Sequence, residues 1–292
     1  MNLSHVDLTR SCAPSARPSS ISLLREATRT GLAERGFRDA SPSEADLTLV
    51  DVLDDDLGAP LAEAELEGLK ACRGPLVVRV HATPGDHAPS ACLRVLLGRA
   101  DAVIVSTRSH LVRLGSAGLL VADRTNLIAP AAPILRGDAA PSAGAGALVL
   151  GAQLPEALEL AFGELSLDYS LLGPETQDAG AARRLGAVAG RHALLVVTST
   201  AHAEDGVLSA VCGQLGRALV APGGVDLAWQ PHCFPVGSSP SVQDWVEALS
   251  AGLGASLAAS NIEDTASDQL DRLARVLSRA TRRKDCPQAS AA

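Results

Sequence analysis

Apolar runs of strand length alternate with helix-like segments along nearly the whole sequence. Leu47 to Val52, Leu76 to Val80 and Ala102 to Val105 are such runs, and each is followed by a segment with helical character. This alternation is typical of a parallel β-sheet flanked by helices. Aromatic residues make up only 2% of the chain, so the core is expected to consist of Ala, Val and Leu. The sequence therefore predicts an α/β fold rather than an aromatic-rich sandwich or barrel.

A second series of alternating strands and helices begins near residue 147. It follows a stretch from Pro130 to Gly146 that is rich in Ala, Pro and Gly and has no hydrophobic period, as expected of a linker. We therefore predict two Rossmann-like domains, residues 1–135 and 147–270, with parallel sheets flanked by helices and a linker at 136–146. The amphipathic last helix, Glu263 to Arg283, is expected to return to the first domain from residue 271, because its apolar stripe needs a surface to cover.

The charge and the cysteines argue against several classes of protein. The net charge is −8 and the isoelectric point about 5.4, which does not fit binding to nucleic acid through a broad basic surface. The six cysteines have neither a C-x-x-C pair nor zinc-ligand spacing, so we expect free thiols in a reducing compartment. No apolar run approaches the ~20 residues that span a bilayer, and the N-terminus lacks the apolar core of a secretion signal. We predict a soluble cytoplasmic protein without a membrane span or a nucleic-acid partner.

Two groups of segments carry a family resemblance. The first contains Leu76-Val-Val-Arg-Val-His81 and Arg99-Ala-Asp-Ala-Val-Ile-Val-Ser106, followed by a helix, Gly118 and Asn126-Leu-Ile-Ala-Pro130. The second contains Ala193-Leu-Leu-Val-Val-Thr-Ser199, the acidic loop His202-Ala-Glu-Asp-Gly206, a helix from Val207 and Arg217-Ala-Leu-Val-Ala-Pro-Gly-Gly224. In this order they resemble the family 4 retaining glycosyltransferases, whose two Rossmann domains form the GT-B fold and face each other across a nucleotide-sugar cleft.

The resemblance implies an activity and a set of site residues. A sugar would pass from a nucleotide-sugar donor to an unknown acceptor, with retention of configuration and without a metal or a further cofactor. His81 would donate a hydrogen bond to the transferred sugar, with Glu204 beside it as the second catalytic residue. A helix N-terminus with free backbone N–H groups would stabilise the diphosphate. The substrate-binding residues implied by the resemblance are Ser106, Asp205, Gly206, Val207 and Leu208.

Departures from the family pattern leave other functions open. The family has a second glutamate eight positions after the first, on the helix, whereas this sequence has Cys212. It usually has Arg and Lys in the first strand–helix unit of the second domain, but residues 151–164 contain neither. One alternative is a non-catalytic GT-B-like module that binds a protein partner or regulates an active transferase. Another is a Rossmann-type binder of a different small molecule, because a fold does not determine a function.

Each candidate residue also has a purely structural interpretation. A histidine at a strand end is often a hydrogen-bonded structural residue, and Glu204 with Asp205 fits a solvated loop and helix N-cap. Ser106 fits the N-cap of the helix that follows it. The consecutive carboxylates at positions 54–56 are of the type that binds hard cations, but three successive side chains on a loop point in different directions. We therefore expect a solvated turn at Asp54, Asp55 and Asp56 rather than a metal site.

Overall fold

The chain folds into two compact units in the computed structural model. The structure describes residues 1–8, 20–53, 69, 72, 74–81, 91–129, 145–151, 153–172, 188–198, 207–222, 232–237, 239–255 and 262–285. The first unit contains Met1–Arg17, Arg29–Ala129 and Asp268–Ala292, and the second contains Pro18–Thr28 and Pro130–Ser267. Each unit is therefore assembled from separate stretches of the sequence.

The described part of the first unit contains a six-stranded sheet in which all neighbouring strands are parallel. Its strands are β1 (Asn2–Asp7), β2 (Arg38–Asp39), β3 (Leu47–Leu53), β4 (Leu76–His81), β5 (Ala102–Val105) and β6 (Thr125–Leu127). Its helices are part of α1 (Ser20–Glu34), α2 (Ala91–Arg99), α3 (Arg108–Ser116) and most of the last helix, α7 (Ile262–Asp285). The strand order β2-β1-β3-β4-β5-β6 reverses its direction of growth between β1 and β3. Open α/β sheets bind ligands at the carboxyl ends of their strands beside such a reversal.

Both faces of this sheet are buried, because successive side chains of a strand point to opposite faces. On one face, Leu49 and Val77 pack in a cluster that includes Leu277 of α7. On the other face, Val78 packs in a cluster that includes Leu96 of α2. A strand buried on both faces needs apolar side chains at nearly every position, which explains the continuous apolar runs in the sequence.

The second unit contains, within the described residues, a five-stranded parallel sheet in the order β11-β10-β9-β7-β8. Its strands are β7 (Ala147–Leu150), β8 (Tyr169–Leu172), β9 (Leu194–Val197), β10 (Ala218–Pro222) and β11 (Cys233–Val236), and its helices are α4 (Glu156–Glu164), α5 (Val207–Leu215) and α6 (Val242–Gly254). The order again reverses, here between β7 and β9. The predicted fold class, two Rossmann-like units with parallel sheets flanked by helices, is confirmed.

Helix α6 begins where its sequence contains a capping box. The Ser241 hydroxyl accepts a hydrogen bond from the backbone N–H of Asp244 at 3.2 Å, and the Asp244 carboxylate accepts one from the backbone N–H of Ser241 at 2.8 Å. This reciprocal pair satisfies two amide groups at the start of the helix. The next residue, Trp245, is 1% exposed and packs in the core of the second unit.

Helix α7 is held against α1 in the first unit by close packing and by an ion pair. A Cβ atom on Gly31 of α1 would lie 2.3 Å from Cδ1 of Leu270, so a larger side chain there would have to displace this leucine. The guanidinium Nε of Arg35 donates to Oδ1 of Asp271 at 2.6 Å. The apolar stripe of α7 continues into the core through Leu273 and Leu277.

The strands β1, β2 and β11 are not predicted by the sequence analysis. Strand β1 has only Leu3 and Val6 as apolar residues, and β2 consists of two exposed charged residues. Strand β11 contains Pro235, which suits the edge position that the strand occupies. These strands form because the backbone of a neighbouring strand supplies hydrogen-bond partners. Such pairing does not require an apolar pattern in the sequence of the strand itself.

Some predictions fall outside the described residues. These are the solvated turn at Asp54, Asp55 and Asp56 and most of the linker at 136–146, so the domain boundaries given above stay predictions. Within the described part of the chain, no helix is long and apolar enough to cross a membrane.

Candidate active site

Ionisable residues interrupt the apolar face of the first sheet at the same level in neighbouring strands. On β3, Asp51 follows Leu47 and Leu49 in the alternation, and on β4, Arg79 and His81 follow Val77. Asp51 is the register partner of Arg79 across the two strands. The apolar face that α7 covers therefore ends, toward the carboxyl ends of the strands, in a group of charged and polar side chains.

Asp51 is the centre of this group and is completely buried. Arg79 donates from Nε to Oδ1 at 2.5 Å and from Nη2 to Oδ2 at 2.9 Å, which is the fork geometry of a guanidinium on a carboxylate. Nε2 of His5, on β1, lies 2.6 Å from Oδ2. Nε2 of His81 lies 3.0 Å from Oδ1. We refer to Asp51, Arg79, His5 and His81 as the Asp51 cluster.

The neighbours of Asp51 keep its carboxyl group ionised. Burial by itself raises the pKa of Asp51, but the charges of Arg79 and His5 and the hydrogen bonds from His5 and His81 outweigh it and hold the pKa well below its usual range. An ionised carboxylate has no proton to donate. Both histidines must therefore donate their Nε2–H to Asp51.

His81 is held neutral by its surroundings. Its pKa is lowered mainly by burial, with smaller contributions from the charges of Arg79 and His110, while the hydrogen bond and the charge of Asp51 act in the opposite direction. The ring is 1% exposed, and its Nδ1 is buried without a hydrogen-bond partner among the described residues. A buried polar atom without a partner is costly in a folded protein and points to a missing ligand or solvent molecule.

The Asp51 cluster predicts that acid destabilises the protein. Because the folded pKa of His81 lies below its ordinary value of 6.5, the unfolded chain binds this proton first as the pH falls. The free energy of unfolding should therefore decrease below about pH 6.5, by at most about 1.36 kcal/mol per pH unit for one group. A second decrease in the free energy of unfolding is expected below pH 3.8, where Asp51 of the unfolded chain becomes protonated. Denaturant midpoints between pH 8 and 5 should show a steeper slope for the wild type than for His81→Asn, and equal slopes would contradict the assignment.

Ser106, another predicted site residue, lies within the described residues. Ser106 directly follows β5, one residue beyond the Val80–Val105 pair, so it lies at the level of His81 in the register. It is not the N-cap of α3, because that position is taken by Thr107, whose hydroxyl accepts from the backbone N–H of His110 at 3.3 Å. The interpretation of Ser106 as a cap is therefore wrong.

The acidic loop of the second unit is not described. Glu204, Asp205 and Gly206 lie outside the described residues, and Val207 is the first residue of α5. The side chain of Leu208 is buried in the core of the second unit, which leaves only its backbone for the predicted ligand contact.

A glycine lies at the point of the second sheet where the strand order reverses. Gly151 follows β7, and a Cβ atom on it would lie 2.2 Å from Oγ1 of Thr198, which follows β9. The backbone N–H of Thr198 donates to the carbonyl of Leu150 at 3.3 Å. A side chain at position 151 would therefore have to displace the side chain of Thr198.

Sequence reasoning missed Asp51, Arg79 and His5. Asp51 and Arg79 were each visible as a charged residue inside an apolar strand, at the same distance from its carboxyl end. Charged residues inside a fully buried strand are nearly always paired, so two such residues in consecutive strands are expected to bind each other. His5 carried no such signal, since β1 was not predicted.

A comparison with known proteins adds a fold-level result. No family model and no curated protein matches the sequence. Among solved structures, Anabaena HepE in complex with UDP and glucose covers 95% of this chain and 99% of its own, with a TM-score of 0.58 and 15% identity. AviGT4, a glycosyltransferase involved in avilamycin A biosynthesis, covers 96% and 98%, with a TM-score of 0.52 and 16% identity. The chain has the GT-B fold.

A third GT-B structure matches part of a longer chain. S. aureus TarM, in complex with fondaparinux, α-GlcNAc-glycerol and UDP, covers 80% of this chain and 55% of its own, with a TM-score of 0.50 and 12% identity. The predicted GT-B resemblance is thus confirmed at the level of the fold. At these identities, membership of family 4 and retention of configuration stay predictions.

Proposed function

We propose that this GT-B chain is a glycosyltransferase that moves a sugar from a nucleotide-sugar donor to an acceptor, and that His81 contacts the sugar. The observation that carries the proposal is the Asp51 cluster. Burying a carboxylate, a guanidinium and two imidazoles costs solvation free energy that an apolar cluster of the same size would not lose. The cluster also lies at the carboxyl ends of β1, β3 and β4, beside the reversal of strand order where open α/β sheets bind ligands.

The roles in the second unit rest on the family resemblance. We assign Glu204 and Asp205 hydrogen bonds to hydroxyl groups of the donor. The amides at the start of α5, from Gly206 to Leu208, are assigned to its diphosphate, because free N–H groups and the helix dipole favour negative charge there. Ser106 completes the proposed substrate contacts at the end of β5. The transfer is proposed to retain configuration and to need no metal.

One observation favours the non-catalytic alternative. Cys212, which stands where the family has its second glutamate, is 1% exposed and packs among the leucines and valines of the second core. Burial raises the pKa of its thiol, so this residue is an uncharged part of the core and offers nothing to a ribose. A glutamate at this position would bury an ionised group without a partner. A module that regulates an active transferase would not need this carboxylate.

Thermal stability in the presence of nucleotide sugars separates the two functions. UDP-glucose is the first probe, since the HepE structure contains UDP and glucose, and other nucleotide sugars follow. A donor at 100 times its Kd should raise the free energy of unfolding by about 2.7 kcal/mol, and release of the nucleoside diphosphate in the presence of acceptors should follow. If none of the nucleotide sugars stabilises the protein, the proposed transferase function is wrong and the non-catalytic module is the better interpretation.

Glu204→Gln is the variant that tests the acidic loop. The substitution keeps the shape of the side chain and removes its charge, so the protein should remain folded while turnover falls roughly 10- to 150-fold, the range for one hydrogen bond to a charged group. Glu164→Gln, at an exposed glutamate of α4, is the matched control and should retain wild-type turnover. Equal turnover in the two variants would remove Glu204 from the mechanism.

A further inference from the structure

The hydrogen bonds around Asp51 determine which ring nitrogen of His81 carries the proton. Asp51 is ionised, and Arg79 occupies one site on each of its oxygens. Oδ1 also lies 3.0 Å from Nε2 of His81. An ionised carboxylate only accepts hydrogen bonds, so Nε2 must be the protonated nitrogen. In a neutral ring, Nδ1 then carries a lone pair.

We infer that Asp51 is a positioning residue that fixes His81 as the Nε2–H tautomer, so that the buried Nδ1 accepts a hydrogen bond from a hydroxyl group of the bound sugar. This inference rests on the proposed function for the identity of the ligand. It reverses the role expected from the sequence, in which His81 donates. Phosphate and carboxylate oxygens also only accept, so they cannot satisfy a lone pair. A lone pair on Nδ1 needs a hydrogen-bond donor, which a sugar hydroxyl supplies and the diphosphate of the nucleotide does not.

The other members of the cluster keep Asp51 in place. The two bonds from Arg79 fix the plane of the carboxylate, because the guanidinium fork matches both oxygens. His5 binds Oδ2 from β1 on the other side. Among the described residues, the charges that act on His81 are those of Asp51 on β3, Arg79 on its own strand and His110 on α3, and His5 on β1 acts on Asp51. The charges of Arg79 and, to a smaller extent, His110 oppose a second proton on the ring, which preserves the lone pair.

Nitrogen-15 NMR of the full-length protein at pH 7.5 measures this tautomer without any substitution. Long-range proton–nitrogen correlations distinguish protonated from unprotonated ring nitrogens, and the His81 signals are assigned by their loss in His81→Asn. We expect Nε2 protonated and Nδ1 unprotonated, with a population ratio of about 10- to 150-fold, as one hydrogen bond to a charged acceptor provides. A ratio of only a few fold, or a dominant Nδ1–H form, would overturn the inference.

Two variants test whether Asp51 causes the preference. In the double variant Asp51→Leu/Arg79→Leu, which removes the acceptor and its counter-charge together, the ratio should fall to a few fold. In Asp46→Asn, which changes an exposed carboxylate outside the cluster, the ratio should stay at the wild-type value. A ratio unchanged in the double variant would show that Asp51 has no positioning role.

Ligand titration distinguishes failure of this inference from failure of the proposed function. UDP-glucose should move the Nδ1 signal of His81, whereas UDP alone should leave it in place. If UDP moves Nδ1 as much as UDP-glucose does, the hydroxyl contact is wrong although a nucleotide binds. If no nucleotide sugar stabilises the protein, the proposed transferase function is wrong, and so is the assignment of a sugar as the ligand of His81. The tautomer measurement still decides whether Asp51 positions the ring.

Discussion

Asp51→Asn should lower the free energy of unfolding of the first unit by about 3–5 kcal/mol, the usual cost of removing one partner of a buried ion pair. The carboxylate is fully buried, and Arg79 opposite it is 4% exposed. After the substitution the guanidinium keeps its charge in the interior but faces a neutral amide. Because a chain with two units need not unfold in one step, hydrogen exchange should be measured separately on peptides from β3–β4 and from β7–β9. The loss of protection should be confined to β3–β4.

Two comparisons make this prediction specific. Asp46→Asn removes an exposed carboxylate that accepts one backbone hydrogen bond, from Asn2 at 2.6 Å, and should cost less than about 1.5 kcal/mol. The double variant Asp51→Leu/Arg79→Leu should recover part of the stability lost in Asp51→Asn, because it removes the unpaired guanidinium, although His5 and His81 still lose their acceptor. If Asp51→Asn and Asp46→Asn have equal effects, the Asp51 cluster does not carry the buried charge described here.

Trp245→Ala should destabilise the second unit by about 3–5 kcal/mol, the range for truncating a large aromatic side chain in a core. Trp245 belongs to the same core cluster as Leu158 and Phe162 of α4 and Val220 of β10, so its loss would leave a cavity in this core. Protection from hydrogen exchange should fall in β7–β9 and not in β3–β4. This is the reverse of the pattern expected for Asp51→Asn.

Trp245→Phe is the matched control for the cavity. The indole Nε1 is buried without a hydrogen-bond partner among the described residues, so the smaller ring sacrifices no described hydrogen bond. We expect a smaller loss than in Trp245→Ala, because a phenyl ring leaves a smaller cavity than a methyl group does. A loss in Trp245→Phe as large as in Trp245→Ala would show that the indole N–H, and not the packing, determines stability at this position.

The sequence pattern predicted the parts of the fold that are governed by burial. Strands such as β4 and β5 are apolar at nearly every position, because both faces of a parallel sheet are covered. The sequence pattern did not predict β1, because the pairing of this strand with β3 depends on backbone hydrogen bonds and on the reversal of strand order. Which strands become neighbours is a property of the whole sheet. A short segment of sequence therefore does not show which strands will be neighbours.

The residues of the candidate site also differ in whether the local sequence pattern could predict them. His81 could be found because it ends an apolar strand, whereas its partners required the register between strands: Asp51 faces Arg79 across β3 and β4, and His5 reaches Asp51 from β1. Cys212 illustrates a different limit. Its position in the sequence matched a ligand-binding glutamate of the resembled family, but the side chain is buried in the core. Spacing along a helix does not determine which face of the helix points to a ligand.

The assembly of the first unit from both ends of the sequence affects how the chain folds during its synthesis. Strand β1, which carries His5, leaves the ribosome before any other described element, whereas α7, which covers the core beneath the same sheet face, leaves after all of them. The residues of the second unit, up to Ser267, are already outside by then. The usual order, in which the N-terminal domain completes first, is therefore inverted here. Until α7 has been translated, the apolar side chains that it covers lack this partner, and apolar surface exposed in this way is prone to aggregation.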